Sequence, residues 1–145
     1  MDIHQHRGKA GIVTGGARGI GKACAERLAS EGAAVVVADI EADAAEDVAD
    51  TIRAQGGRAA ALALDLRRER DVSGMIARCQ QEFGQLDFLL QNAAIQVERP
   101  LHETTTSEWE DLYQVNLRAL FWGAKYALVA MLAAGRGGSI VNCGS

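Results

Sequence analysis

The segment Thr14-Gly-Gly-Ala-Arg-Gly-Ile-Gly21 has the residue types of a loop that binds phosphate groups. It follows an apolar run and precedes an alanine-rich stretch, so it is predicted to join a strand to the first turn of a helix. Gly15 would form the tight turn, Gly19 would let the backbone approach a pyrophosphate, and Gly21 would let the helix pack closely on the strand. The positive end of the helix dipole would attract the phosphate charge. A dinucleotide site is the prediction, and a purely structural turn is the alternative.

Two further side chains bear on which dinucleotide this loop would hold. Asp39 ends the next apolar run, where a carboxylate can accept hydrogen bonds from both ribose hydroxyl groups of NAD and repel the 2′-phosphate of NADP. Arg18, just before Gly19, adds a cation that acts in the opposite direction to Asp39. We expect Asp39 to decide, since a phosphate held against a carboxylate costs Coulomb energy that a mobile arginine only partly offsets. NAD is therefore the expected cofactor and NADP the less favoured one, and Ile20 is predicted to border it.

The elements that must position these residues follow from the hydrophobic pattern. Short apolar runs alternate with longer amphipathic stretches, which predicts an α/β fold with a Rossmann-type, doubly wound parallel sheet in a single domain over residues 1–145. Strands are expected at residues 10–13, 33–38, 59–64, 86–90 and 139–142. Helices are expected at residues 19–30, 41–55, 70–83 and 107–133.

Composition narrows the classes of partner and compartment. The chain has 145 residues, is 48% hydrophobic and carries a formal net charge of -4, and its fifteen Lys and Arg residues are scattered. These features predict a globular domain without a basic surface for nucleic acid. No signal-type apolar core stands at the N-terminus and no apolar run reaches the roughly 18 to 20 residues of a membrane span, so a cytoplasmic protein is expected.

Cysteine and histidine residues are not expected to bind metal. Cys24, Cys79 and Cys143 are odd in number and lack the spacing of metal ligands, which favours buried, reduced thiols. His4 and His6 stand two residues apart in an N-terminal tail, where a metal role is not favoured.

The glycine spacing resembles the T-G-x-x-x-G-x-G pattern of the short-chain dehydrogenase/reductase family, and the resemblance extends from about Lys9 to the end of the sequence. Later segments match in order: Asp65-Leu66 after the third strand, Gln91-Asn-Ala-Ala94 after the fourth, and Ser139-Ile-Val-Asn-Cys-Gly-Ser145 at the fifth. The resemblance implies that Asp65 and Leu66 lie against adenine and that Asn92, Ala93 and Ala94 lie on the nicotinamide side. Gln91 and Ala94 replace the commoner asparagine and glycine, which leaves Asn92 as the anchor of that motif.

The resemblance also implies catalytic roles. In the family a tyrosine is the general acid/base, a lysine four residues later lowers its pKa, a serine holds the substrate oxygen, and an asparagine keeps a water in the proton relay. Ser145 is similar to that serine and Asn116 to that asparagine. Neither Tyr113 nor Tyr126 begins a Tyr-x-x-x-Lys segment, so the 145-residue chain by itself is expected to lack the general base, to be inactive and to have a sheet incomplete at its C-terminal side.

The sequence pattern alone, without the resemblance, also indicates Asn116 as a candidate functional residue. It shares a predicted helical stripe with Leu112 and Leu120 at spacings i, i+4 and i+8, and an amide on an apolar stripe needs hydrogen-bond partners. On the residues alone, a satisfied core asparagine is the alternative to a catalytic one.

The expected activity is NAD-dependent hydride transfer between nicotinamide and a secondary alcohol or ketone, in a homodimer or homotetramer as the resemblance implies. A non-catalytic dinucleotide-binding or regulatory module is the alternative. A nucleoside-triphosphate hydrolase is disfavoured because no G-x-x-x-x-G-K-[ST] follows the first strand.

Overall fold

The computed structural model describes residues 5–144; His4 and Ser145 lie outside this range. The strands are β1 (Ala10–Thr14), β2 (Ala34–Asp39), β3 (Arg58–Ala63), β4 (Phe88–Gln91) and β5 (Ser139–Asn142). The α-helices are α1 (Gly19–Ser30), α2 (Ala42–Ala54), α3 (Glu69–Phe83), α4 (Thr106–Tyr113) and α5 (Ala119–Ala134). A short 3-10 helix, Leu101–Glu103, precedes α4, and a π-helical segment, Gln114–Arg118, joins α4 to α5.

All strand pairs are parallel, and the strand order is β3-β2-β1-β4-β5. From β1 the chain builds outward through β2 and β3 on one side, then returns to add β4 and β5 on the other. The reversal lies between β1 and β4, where the loops that leave the two strands diverge and open a crevice at their carboxyl ends. The predicted doubly wound parallel sheet is therefore confirmed.

The sheet separates two hydrophobic cores because alternate side chains of a strand point to opposite faces. Ile12 and Val36 face a core formed with α3 and α5, whereas Val13 and Val35 face a core formed with α1 and α2. β1 is buried along its whole length, as expected for a strand covered by helices on both faces.

The predicted helix over residues 107–133 differs from the structure in its interior. The helix runs continuously from Thr106 to Ala134, but its middle turn is π-helical rather than α-helical. Its start follows the hydroxyl-rich sequence: the Thr105 side chain accepts a hydrogen bond from the Glu108 N–H, and the Glu108 carboxylate accepts one from the Thr105 N–H. This capping box fixes where the helix begins.

By length and composition alone, the Thr106–Ala134 helix could cross a membrane, since its most apolar 18-residue window has a mean hydropathy of 1.3. No membrane span was expected from the sequence. In the structure α5 buries Ala119, Ala127 and Met131 in the fold, against the sheet and α3. The helix thus covers the sheet with one side, and 22% of its apolar window is buried.

The expectation of three buried cysteines is correct only in part. Cys79 is buried, and burial raises the pKa of its thiol to about 12. Cys24 is half-buried, and Cys143 is exposed because it follows β5, the outermost strand of the described sheet. All three are unpaired thiols.

Replacing Gly11 with alanine is expected to destabilise the fold strongly. Gly11 on β1 lies opposite Phe88 on β4, and an added Cβ would meet the Phe88 carbonyl oxygen and the Phe88 ring at 2.3 Å. The backbone oxygen cannot move without breaking the sheet, so we expect a loss of about 2 to 3 kcal/mol in the free energy of unfolding. Urea denaturation measures it. Gly74→Ala is the matched control: a Cβ there meets nothing within 4 Å on the exposed side of α3, so a stability gain of up to about 1 kcal/mol is expected. Equal effects at both positions would refute the close contact.

Candidate active site

A crevice of about 570 Å³ lies at the carboxyl ends of the strands and collects most of the predicted site residues. They come from the ends of four strands and from loops that are far apart in sequence. The predicted residues that line it are Gly15, Arg18, Asp39, Asp65, Leu66, Asn92, Ala93 and Ala94. Gly19 and Gly21 begin α1 at its border.

A larger, mainly apolar cavity of about 770 Å³ lies on the α1 face, over β4 and β5. The Ile20 side chain lines this cavity and not the crevice, and the place of Ile20 beside the cofactor stays a prediction. Two of its charged residues, Lys9 and Asp87, stand at the amino ends of β1 and β4. Because ligands of open α/β sheets bind at the carboxyl ends, the smaller crevice is the better candidate.

The loop after β1 depends on glycine at its two ends. At Gly21 an added Cβ would lie 2.0 Å from the Gly15 carbonyl oxygen and 2.6 Å from Asn92 Nδ2. Gly15 itself has φ +64°, and its Cβ would lie 2.9 Å from Ala93 Cα. The expected roles in turn formation and close packing are thus visible in the contacts.

Gly19 differs from these two glycines because it faces open space. Its φ is +54° and an added Cβ would meet nothing within 4 Å. The helix that begins there has no side-chain cap and no acidic residue in its first turn. Backbone N–H groups at this end of α1 are therefore left for an outside acceptor, and the arrangement fits a pyrophosphate.

Thr14 and Asn92 tie β1 to β4 where the two strands end. The Thr14 hydroxyl oxygen accepts hydrogen bonds from the N–H groups of Asn92 (3.1 Å) and Ala93 (3.2 Å). Asn92 Nδ2 donates in return to the carbonyl oxygens of Thr14 (3.2 Å) and Gly15 (3.3 Å). The Asn92 side chain thus anchors the loop after β1 to the end of β4. Thr14 was not among the predicted site residues, although it begins the glycine motif.

The Asp39 carboxylate is held at both oxygens by backbone groups. Oδ2 accepts from the Ala17 N–H at 3.1 Å, and Oδ1 accepts from the Glu41 N–H at 3.1 Å. Each carboxylate oxygen has a further lone pair, which leaves acceptor capacity for a ligand hydroxyl. Asp39 is thereby fixed at the edge of the crevice, and it joins the loop after β1 to the loop after β2.

Asp65 is neutralised by a neighbouring arginine. Arg67 donates to its carboxylate from the backbone N–H, from Nε and from Nη2, each at 3.0 Å. The Arg67 side chain, chiefly by hydrogen bonding, lowers the pKa of Asp65 below its ordinary value. The interaction of Arg67 with the Asp65 carboxylate therefore stabilises the folded state above the ordinary pKa of an aspartate. This stabilisation is lost as the pH falls through the lowered pKa of Asp65.

Asn116 lies in the π-helical segment and is bound to the loop after β4. Its Oδ1 accepts from the Ile95 N–H at 2.9 Å, and its Nδ2 donates to the Ile95 carbonyl oxygen at 2.8 Å. The amide that stands out on the predicted stripe is thus paired with backbone. π-Helical turns occur frequently at functional sites, and this one borders the crevice through Ile95 and Val115.

Gln91 is buried beneath the crevice, and its side chain contacts two other elements, α5 and β5. Its Nε2 donates to the Leu120 carbonyl oxygen at 3.2 Å and to Asn142 Oδ1 at 2.8 Å. An added Cβ at Gly123 would lie 2.1 Å from Gln91 Oε1, so a larger residue there would force the amide out of its hydrogen bonds to α5 and β5. The side chain that departs from the family motif therefore links β4 to α5 and β5.

Comparison with known proteins gives the family. The profile of short chain dehydrogenases matches residues 9–145. The chain belongs to the short-chain dehydrogenase family. The resemblance noted in the sequence is therefore confirmed.

Individual short-chain dehydrogenases match nearly all of this chain. A 2,5-dichloro-2,5-cyclohexadiene-1,4-diol dehydrogenase of Sphingobium indicum is 42% identical over 139 residues, which is 95% of this chain and 54% of the relative. The chain thus spans about half the length of the curated relatives it matches.

Solved structures of short-chain dehydrogenases share the fold. A 7 alpha-hydroxysteroid dehydrogenase complexed with NADH and 7-oxo glycochenodeoxycholic acid matches with a TM-score of 0.93 at 33% identity, over 99% of this chain and 56% of that one. A metagenomic short-chain oxidoreductase in complex with NADP matches with a TM-score of 0.88 at 34% identity, over 94% of this chain and 62% of that one.

Asn116→Ala is expected to loosen the loop after β4. The substitution removes both hydrogen bonds to Ile95, and at a half-buried position the pair contributes about 1 to 2 kcal/mol. Urea denaturation gives the stability, and amide hydrogen exchange at Ile95 reports the loop. Asn116→Asp is the control, since it keeps the acceptor for the Ile95 N–H but brings a carboxylate against the Ile95 carbonyl oxygen. Unchanged exchange at Ile95 in Asn116→Ala would contradict the pairing.

Proposed function

We propose that this chain is the NAD(H)-binding part of an oxidoreductase that transfers hydride between nicotinamide and a secondary alcohol or ketone. One observation carries the proposal: the crevice has an open, uncapped helix N-terminus at Gly19 and a fixed carboxylate at Asp39. These two features are complementary to the pyrophosphate and to the ribose hydroxyl groups of a dinucleotide. Membership of the short-chain dehydrogenase family supports the activity.

The chain's own residues would divide the cofactor between them. Backbone N–H groups at Gly19 and in the first turn of α1 bind the pyrophosphate, and Asp39 accepts hydrogen bonds from the adenosine ribose. Asp65 and Leu66 border the adenine, while the segment 92–94 lies on the nicotinamide side. Each of these positions except Gly19 lines the crevice, and Gly19 adjoins it.

A bound nicotinamide would supply the acceptor or donor of hydride. Ser145 is proposed to hold the substrate oxygen, and the π-helical segment around Asn116 to hold a water that passes protons. Since the Asn116 amide is engaged by Ile95, we assign the water to the backbone of this segment rather than to the amide. The general base of this proposal comes from a Tyr-x-x-x-Lys segment of the complete protein.

Charge in the crevice supports NAD over NADP. Four carboxylates line it, Asp39, Glu41, Asp65 and Asp111, against the two guanidinium groups of Arg18 and Arg67. A 2′-phosphate adds about two negative charges to this surplus of carboxylate, whereas a ribose hydroxyl adds none and can donate to Asp39.

The substrate we propose is a cyclic secondary alcohol or its ketone. The similar proteins named above act, by their names, on a cyclohexadiene diol and on a hydroxysteroid.

We also propose a homodimer or homotetramer, because the Thr106–Ala134 helix exposes large apolar side chains, Tyr113, Leu117, Phe121, Leu128 and Leu132. Three unpaired cysteines support a cytoplasmic location.

Gly19→Val is expected to abolish NADH binding, with an affinity loss of at least about 100-fold, because a branched side chain would fill the open space that we assign to the pyrophosphate. Isothermal titration of the product of the complete gene measures it. Gly56→Val is the matched control: Gly56 also has a positive φ and open space around it but lies between α2 and β3 at the other edge of the sheet. The two variants carry the same kind of backbone strain, so only a difference in NADH affinity reports the site. Wild-type affinity in Gly19→Val would rule out a phosphate role for the loop.

We expect NADH to bind at least about tenfold more tightly than NADPH, and Asp39→Ala to narrow that ratio. The substitution removes a ribose partner and a source of repulsion together. It also frees the Ala17 and Glu41 N–H groups, so both affinities fall from loop disorder. The NADH/NADPH ratio cancels this common loss. Tighter binding of NADPH by the wild-type protein would reverse the assignment.

A further inference from the structure

Arg18 and Glu41 occupy equivalent positions in two different helices. Arg18 is the N-cap residue of α1 and Glu41 is the N-cap residue of α2, and neither side chain hydrogen-bonds to its own helix. The two side chains instead form an ion pair between Arg18 Nη2 and Glu41 Oε2. Glutamate is not a preferred N-cap residue, so local helix chemistry does not account for Glu41.

Asp39 brings the two partners together. One of its oxygens accepts a hydrogen bond from the N–H of Ala17, the residue before Arg18. The other oxygen accepts a hydrogen bond from the N–H of Glu41. The carboxylate thereby fixes the backbone on both sides of the ion pair. Arg18 and Glu41 meet beside Asp39 because of this arrangement, at the end of the crevice where the adenosine ribose belongs.

Both guanidinium groups that line the crevice are paired with carboxylates. Arg67 is engaged by Asp65 and lies 3.7 Å from Asp111 Oδ1, and Arg18 is engaged by Glu41. Among the described residues that line the crevice, no cation is left for a 2′-phosphate. Of the two, Arg18 is the one beside Asp39, where an arginine accommodates that phosphate in dinucleotide folds.

We propose that Glu41 is a specificity-determining residue, which withholds Arg18 from the 2′-phosphate of NADP. The inference rests on the proposed function and deepens it: Asp39 repels the phosphate directly, while Glu41 removes the cation that would offset this repulsion. NAD preference then depends on two carboxylates with separate actions.

The ion pair is exposed, which sets the size of the effect. The Arg18 side chain is 68% exposed and the Glu41 side chain 51% exposed, so solvent screens their attraction. Exposed pairs shift an equilibrium by at most about fivefold. Loss of Glu41 should therefore improve NADPH binding about three- to fivefold rather than invert the preference.

The test is a double-mutant cycle on the product of the complete gene, with NADH and NADPH titrated separately. Glu41→Gln should tighten NADPH about three- to fivefold and change NADH less than about twofold. Adding Arg18→Ala to Glu41→Gln should remove the gain in NADPH affinity, because the freed Arg18 guanidinium causes that gain. The gain should also shrink at high salt. Asp43→Asn, in the first turn of α2, controls for the loss of one negative charge and should leave NADPH affinity unchanged.

Different failures have different meanings in this cycle. If Glu41→Gln gives no gain, if the gain persists without Arg18, or if Asp43→Asn gives the same gain, the inference is wrong while NADH binding still supports the proposed function. If no variant binds NADH and the wild-type protein does not either, the proposed function fails and the inference fails with it. Thermal denaturation of each variant verifies that it is folded.

Discussion

The contact on which the rest of the site depends is the approach of α1 to the turn after β1. At Gly21 the helix passes so close to the Gly15 carbonyl that a Cβ would lie 2.0 Å from it. The same Cβ would lie 2.6 Å from Asn92 Nδ2, which donates hydrogen bonds from the end of β4 to the Thr14 and Gly15 carbonyl oxygens. The missing side chain at Gly21 therefore leaves room both for the packing of α1 on the turn and for the hydrogen bonds that join the turn to β4.

Polar side chains around the crevice are used first to bind the chain's own backbone. Asp39 accepts hydrogen bonds from the N–H groups of Ala17 and Glu41. Asn92 donates to the turn after β1, and Asn116 donates to the Ile95 carbonyl oxygen. Loops at the end of a parallel sheet lack the regular hydrogen bonds of helices and strands, so their peptide groups need such partners. The side chains that the loops require are consequently already fixed in orientation before any ligand arrives, which lowers the entropic cost of binding.

Sequence reasoning predicted the strands and the first three helices to within two residues, since buried parallel strands and amphipathic helices have different hydrophobic periods. It could not predict the π-helical turn, because Leu112, Asn116 and Leu120 keep an α-helical spacing and the hydrogen bonds to Ile95 come from a loop far away in sequence. The Arg18–Glu41 pair was missed for the same reason: each residue is unremarkable until Asp39 brings two loops together. Cys143 was assigned to the interior because residue type does not tell which strand is outermost.

The contact between Gln91 and Gly123 also constrains how this protein can change over generations. With glutamine at position 91, the amide oxygen fills the place of a Cβ on α5, so a side chain at position 123 fits only if the amide moves from its present hydrogen bonds. A shorter asparagine at position 91 would vacate that volume, and position 123 would then accept alanine. The two positions are therefore coupled: the cost of a side chain at position 123 depends on the residue at position 91. In a lineage that retains glutamine at 91, glycine at 123 leaves the hydrogen bonds of the amide to α5 and β5 intact.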